Sequence, residues 1–315
     1  MLGRAAHGVY WMSRYLERAE NTARLLNVGL RIALTRGADT TREDEWRSVL
    51  VTTGQNLAYR QLYDDYDGVQ VFNFILRDKT NPSSVLAMIQ GARTNARMVR
   101  TSITSEVWES TNECWMQLGD ALARPVREHN LGDVLAMIRR LTTQVRGAIE
   151  GTMLRNEVFN FSRIGTFIER ADNTARILDI KYYVLLPSLA WVGSHIDNAQ
   201  WDTLLRSVSG DRAYRWLNKG TMDAKGIAQF LILDSKFPRS LIFSYDKIRS
   251  NMSGLALEYG HESPSHELVR SGCARLHQTD IDKVFEAGLH EFLTSCISDT
   301  VRIGNAIAAD FKFVE

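Results

Sequence analysis

Glu17-Arg-Ala-Glu-Asn-Thr-Ala-Arg24 recurs 152 residues later as Glu169-Arg-Ala-Asp-Asn-Thr-Ala-Arg176. Seven of the eight positions are identical, and the eighth exchanges Glu20 for Asp172. A second set of matches tests whether the echo extends further. Phe74, Asp78, Pro82, Ser84, Arg93 and Asn95 return as Phe230, Asp234, Pro238, Ser240, Arg249 and Asn251 at an offset of 156, and Trp46 pairs with Trp201. A loop insertion accounts for the drift between the two offsets. Repeats decide architecture before local pattern does. The chain therefore reads as all-α, a multi-helix bundle of two tandem pseudo-symmetric repeats, about 1–155 and about 156–315, within one domain over 1–315.

Advancing 100° per residue puts Met12, Tyr15, Leu16, Ala19, Ala23, Leu26, Leu30 and Ala33 on one helix face, and Ile164, Phe167, Ile168, Ala171, Ala175, Leu178, Tyr182 and Leu185 on its counterpart. The alanines allow close approach of another helix. Opposite lies a polar stripe, Glu17, Asn21 and Arg24, matched by Glu169, Asn173 and Arg176. Within one helix Glu17 and Arg24 stand about 10 Å apart along the axis, at roughly 1.5 Å per residue, too far for easy pairing. Three readings of the stripe stay open. It is a solvated face; or a buried seam, in which each Glu meets the other copy's Arg about a pseudo-two-fold axis; or a cleft, with Arg gripping a carboxylate or phosphate and Glu an amine or metal.

The rest of the sequence mainly excludes. Among 315 residues, 44% are hydrophobic, enough for a large core. Lys and Arg total 38 against 37 Asp and Glu, so no global field gathers nucleic acid or anionic lipid. Cys114, Cys273 and Cys296 are odd in number and widely spaced, which suits a reducing compartment. The start at Met1 lacks a secretory pattern, and the apolar stretch Ile177 to Val192 is interrupted by Asp179, Lys181 and Pro187. A cytoplasmic protein is expected, with no membrane and no nucleic acid among its partners. No phosphate loop, dinucleotide fingerprint or nucleophile elbow is present. Glu258 and His261 have a di-iron spacing, but that motif must occur twice with two further Glu. No cofactor and no metal is expected.

Pro82 and Pro238 read as helix starts with Asn81 and Phe237 at the cap positions, and Asp78 and Asp234 then precede helix N-termini, a favourable place for a carboxylate. Arg93, Asn95, Arg249 and Asn251 lie on the helices that follow and are candidates to extend the polar stripe. Closing helices are expected over about 132–155 and 280–309. Residues 36–44, 60–70 and 258–279 read as loops, with His261, His266 and His277 at the surface and His290 in the core.

Leu2-Gly-Arg-Ala-Ala6, Tyr10-Trp-Met-Ser-Arg-Tyr-Leu-Glu-Arg-Ala-Glu-Asn-Thr-Ala-Arg24, Phe161, the run from Gly165 to Asp179, and Gly288-Leu-His-Glu-Phe292 together resemble the bacterial alpha-E family along the whole chain. The resemblance implies a helical protein encoded beside a circularly permuted ATP-grasp ligase and transglutaminase-like or peptidase genes, with a role in making or modifying a peptide and no defined activity. The family motif falls on Glu17, Arg18, Asn21, Arg24, Glu169, Arg170, Asn173 and Arg176 and brings no catalytic role. The first expectation is a helical accessory protein for an ATP-grasp amide ligase, handling an amino-acid or peptide substrate. The alternatives are an enzyme using a duplicated Glu/Asn/Arg site, and a structural module that forms homo-oligomers.

Overall fold

The computed structural model describes residues 3–34, 42–184, 195–218 and 222–313. Among them there are helices and no strand. The first half contains α1 (Gly3–Leu34), α2 (Arg42–Thr52), α3 (Asn56–Arg60), α4 (Gly68–Arg77), α5 (Val85–Met98), α6 (Ser105–Ala121) and α7 (Glu128–Thr152). The second contains α8 (Glu157–Val184), α9 (His195–Ser207), α10 (Asp211–Leu217), α11 (Ala224–Leu233), α12 (Leu241–Tyr259), α13 (Pro264–His277), α14 (Ile281–Ala287) and α15 (Leu289–Asp310).

The two signature helices, α1 and α8, form the most extensive packing among the described residues. Around them the contacts come in matched pairs. α5 lies along α1 as α12 lies along α8, α7 packs on α1 as α15 packs on α8, and α2 reaches α8 as α9 reaches α1. Ser13 and Ser162 share a hydrogen bond at 2.8 Å, Arg18 meets Glu169, and Arg170 meets Glu17. Partners advance together along both chains, so the helices run in the same direction. Their closest approach depends on Gly165, where an added Cβ would stand 2.4 Å from the Tyr10 carbonyl oxygen.

Met12, Leu16, Ala19, Ala23 and Leu26 are buried on α1, as are Ile164, Phe167, Ile168, Ala171, Ala175 and Leu178 on α8. Tyr15 and Leu30 pack partly buried at the core's edge. The side chains of Ala33 and Tyr182, and Leu185 entirely, lie outside the described residues. The opposite face differs from a solvated stripe, because Glu17, Glu20, Asn21 and Thr22 are also buried. Neighbours cover α1 at Glu17 and Glu20, so these carboxylates need protein partners rather than water.

Several expected boundaries move. α5 and α12 begin after Ser84 and Ser240, whose hydroxyls accept from the Ala87 and Phe243 amides, not at Pro82 and Pro238. Asn81 is instead buried, donating to Gln55 Oε1 and the Phe74 carbonyl. The closing helix 280–309 is broken at Gly288, whose φ of 109° lies where glycine is favoured. Residues 264–277 form α13 rather than a loop. The buried His266 is part of its start, accepting the Ser263 amide at Nδ1 and facing the Met252 carbonyl at Nε2. Residues 61–67 are non-helical as expected, but 42–44 open α2, 60 ends α3 and 68–70 open α4, while 35–41 lie outside the described residues. No described helix is long and apolar enough to cross a membrane.

Candidate functional site

The eight signature residues divide into two clusters on either side of the α1/α8 contact line. Both obey one rule of pairing. Glu17 takes a bidentate pair from Arg170, with both contacts at 2.9 Å, and Glu169 takes one from Arg18, at 2.6 and 2.9 Å. Each Glu therefore meets the other copy's Arg, but the partner is the Arg next to the Glu in sequence. Arg24 and Arg176 turn back within their own helices, onto Glu20 at 2.8 Å and Asp172 at 2.7 Å. The physical reason is the 100° step per residue. Residues 17 and 18 flank the contact line, so position 17 of one parallel helix faces position 18 of its neighbour.

The first cluster is closed except for a cavity of about 10 Å³ beside Glu17 and Arg146, far too small for a ligand. Besides Arg170, Glu17 accepts from Arg239 at 3.2 Å and lies 3.3 Å from Arg146. Glu20 pairs with Arg24, Arg239 and Arg146, and Arg239 also donates to Asn21 Oδ1 at 3.3 Å. Arg170 donates its remaining Nη1 to the Pro238 carbonyl, and Arg24 uses the Ser207 carbonyl. Burial alone would raise the Glu17 and Glu20 carboxyls, but the surrounding arginines hold both below the usual range. Burial, with Arg24 and Arg170 nearby, pushes Arg239 down to about 9, still cationic at neutral pH.

The second cluster is open. Glu169 is held by Arg18 and by Arg14 at 3.0 Å, and these arginines with Asp172, Asn173 and Arg176 line a cavity of about 260 Å³. Thr53, Gly54 and Gln55 close one side from the turn between α2 and α3, where Gly54 has a φ of 71°. Burial would raise Glu169, yet Arg18 and Arg14 keep its carboxyl low, so it stays ionised. Asn173 is 4% exposed, and its side-chain nitrogen has no hydrogen-bond partner. Asn21, its counterpart, uses both ends of its amide, donating to the Glu169 carbonyl at 3.4 Å and accepting from Arg239. An unpaired buried amide costs about 1–3 kcal/mol, so the cavity asks for a polar occupant. Its volume lies just below the roughly 300 Å³ at which drug-sized sites begin, which suits an amino acid or short peptide end.

Of the sequence candidates, Arg18, Asn21, Glu169, Asn173 and Arg176 line the cavity, while Glu17, Arg24 and Arg170 belong to the closed cluster. Sequence reasoning missed Arg14, Glu20, Arg146, Asp172 and Arg239. Glu20 and Asp172 were visible inside the repeated motif. Arg239, 222 positions from Glu17, carried no local signal.

The weaker candidates do not join either cluster. Asp78 and Asp234 accept from the amides of Thr80 and Lys236 and cap turns. Arg93 donates to Asn112 and stacks on Trp115 with its guanidinium carbon 4.0 Å from the ring centroid. Arg249 pairs with Asp246 at the surface, and Asn95 and Asn251 bond carbonyls of their own helices. His290 pairs with Asp179 at 2.6 Å. The three cysteines are buried free thiols. Burial pushes Cys114 and Cys273 up to about 12 and Cys296 to about 11, far from nucleophilic thiolates. No group of three or more His, Cys, Asp or Glu able to hold a metal occurs among the described residues.

Comparison with known proteins adds the family. A family model described as "a predicted alpha-helical domain with a conserved ER motif" matches residues 1–311. Glu-Arg occurs here at Glu17-Arg18 and Glu169-Arg170, the pairs that exchange partners across α1 and α8. Proteins described as uncharacterized from Mycobacterium bovis and Mycobacterium tuberculosis are 23% identical over 321 residues, covering 94% of this chain and 35% of theirs. The chain thus spans about a third of the length of these curated relatives. No solved structure matches it. With the whole-length match and both Glu-Arg pairs at the centre of the bundle, the chain belongs to the Alpha-E family.

Proposed function

We propose that the chain is a cytoplasmic, ligand-binding helical component of an amide-bond-forming system built around an ATP-grasp ligase, and that its open cavity holds the amino acid or peptide on which the ligase acts. The observation that carries the reading is the contrast between the two clusters. The motif residues are satisfied on the Glu17 side, whereas the Glu169 side keeps a cavity with an unpartnered amide. Two halves descended from one duplicated unit have, in this reading, divided the work. One copy of the motif locks the bundle and the other retains a site.

Binding rather than bond-making fits the electrostatics. Glu169 is held ionised by Arg14 and Arg18, which makes it a poor proton acceptor at neutral pH. No thiol is activated. ATP chemistry therefore falls to the partner ligase. Co-expression with an ATP-grasp ligase of the kind the family resemblance implies should give a complex on gel filtration, and the Glu169→Gln variant should lower the KM-governed rate of ligation while the complex persists. Separate elution of the two proteins in the presence of ATP and amino acids would overturn this assignment.

A further inference from the structure

The closed cluster supplies a template for what the cavity holds. Ser84 and Ser240 cap equivalent helices, and the residue before the cap is Ser83 on the cavity side and Arg239 on the closed side. The turns before α3 and α10 also correspond. Gln55 N–H donates to the Leu50 carbonyl and Gly210 N–H to that of Leu205, each at 2.8 Å, which sets Gly54 against Ser209. α7 sends Arg146 to Glu17 and Glu20, whereas α15 presents Val301 to the cavity. On each comparison the cavity side has the smaller group.

Arg239 reaches Glu17, Glu20 and Asn21 with one planar fork. The counterparts of those acceptors are Glu169, Asp172 and Asn173, and all three line the cavity with no arginine supplied from position 83. A guanidinium there would meet two carboxylates and an amide oxygen in the arrangement that Arg239 meets across the contact line, while the Asn173 N–H, which a guanidinium cannot satisfy, takes an acceptor such as the ligand's carboxylate. Arg18 and Arg176, each about one-third exposed, stand at the opening and suit a ligand carboxylate. Building on the reading of the cavity as a ligand site, we propose that the ligand carries a guanidinium group, as in arginine or a peptide with an arginine residue, seated where the Ser83 position leaves the counterpart of Arg239 vacant.

The test is calorimetric titration with L-arginine, L-citrulline and N-acetylglycine, on the wild type and on Ser83→Arg. Citrulline keeps the shape of arginine without its charge. Arginine is expected to bind at least about tenfold more tightly than citrulline, the difference of roughly 1.4 kcal/mol that a charge-assisted hydrogen bond commands. Ser83→Arg supplies the guanidinium from within, so it should lose arginine binding and melt no lower than the wild type. Ser83→Leu gives bulk without the fork and should melt below Ser83→Arg; the reverse order overturns the template. Binding of N-acetylglycine without arginine, or equal binding of arginine and citrulline, overturns the guanidinium assignment and leaves the ligand site standing. No binding of any probe removes both.

Discussion

Replacing Glu17 with alanine removes the carboxylate that Arg170 meets at two points, and that Arg239 and Arg146 also approach. Arg239 and Arg146 keep Glu20, but Arg170, whose side chain is 6% exposed, keeps only the Pro238 carbonyl and no carboxylate. Stranding one partner of a buried pair costs about 3–5 kcal/mol. A chain of this length gains roughly 0.66 kcal/mol/K of unfolding entropy at Tm, from about 2.1 cal/mol/K per residue, so Tm should fall by about 5–8 °C. Glu169→Ala is the control. It strands Arg14 and Arg18, whose side chains are 17% and 34% exposed and retain water, so the cost falls to about 1–2 kcal/mol after allowance for screening. Differential scanning calorimetry of the two variants reads the difference. Equal Tm losses, or a larger loss for Glu169→Ala, would refute the division into a closed and an open cluster.

Three further outcomes follow from the same geometry. Glu17, Glu20 and Glu169 have carboxyls held below the ordinary value near 4.3, so their contribution to stability is fully present above that value and is lost as pH falls through the folded range. Denaturant midpoints should accordingly be flat near neutrality and drop below about pH 4.5, and the drop should shrink in Glu17→Gln. Gly165→Ala puts a Cβ against the Tyr10 carbonyl and should cost about 1–3 kcal/mol by urea unfolding, because backbone must move. Ser84→Ala and Ser240→Ala each remove an N-cap and should cost about 1 kcal/mol, with Pro82→Ala costing less than Ser84→Ala.

What the sequence made legible follows from periodicity and repetition. The apolar faces of α1 and α8 were readable because a helix turns through 100° per residue, and the central role of both was readable because the motif appears twice. The partner within the seam was not. A helical wheel places Glu17 opposite the alanines but does not say that helices pack on every side, nor that the parallel α8 brings Arg170 rather than Arg176 to it. Arg146 comes from α7 and Arg239 from the turn before α12, and only the folded chain gathers them. Pro82 and Pro238 misled because a proline suits a first helical turn but also a preceding turn, and Ser84 and Ser240, both in the repeated set, were the better caps.

The central claim, that one copy of the motif is sealed and the other open, is tested most directly by native-state labelling of arginine with phenylglyoxal, followed by peptide mass spectrometry. Arg18 and Arg176, with side chains 34% and 32% exposed, should be modified at least about tenfold faster than Arg170 and Arg239, at 6% and 9%. Equal modification of all four, or faster reaction of Arg170 and Arg239, would contradict the account.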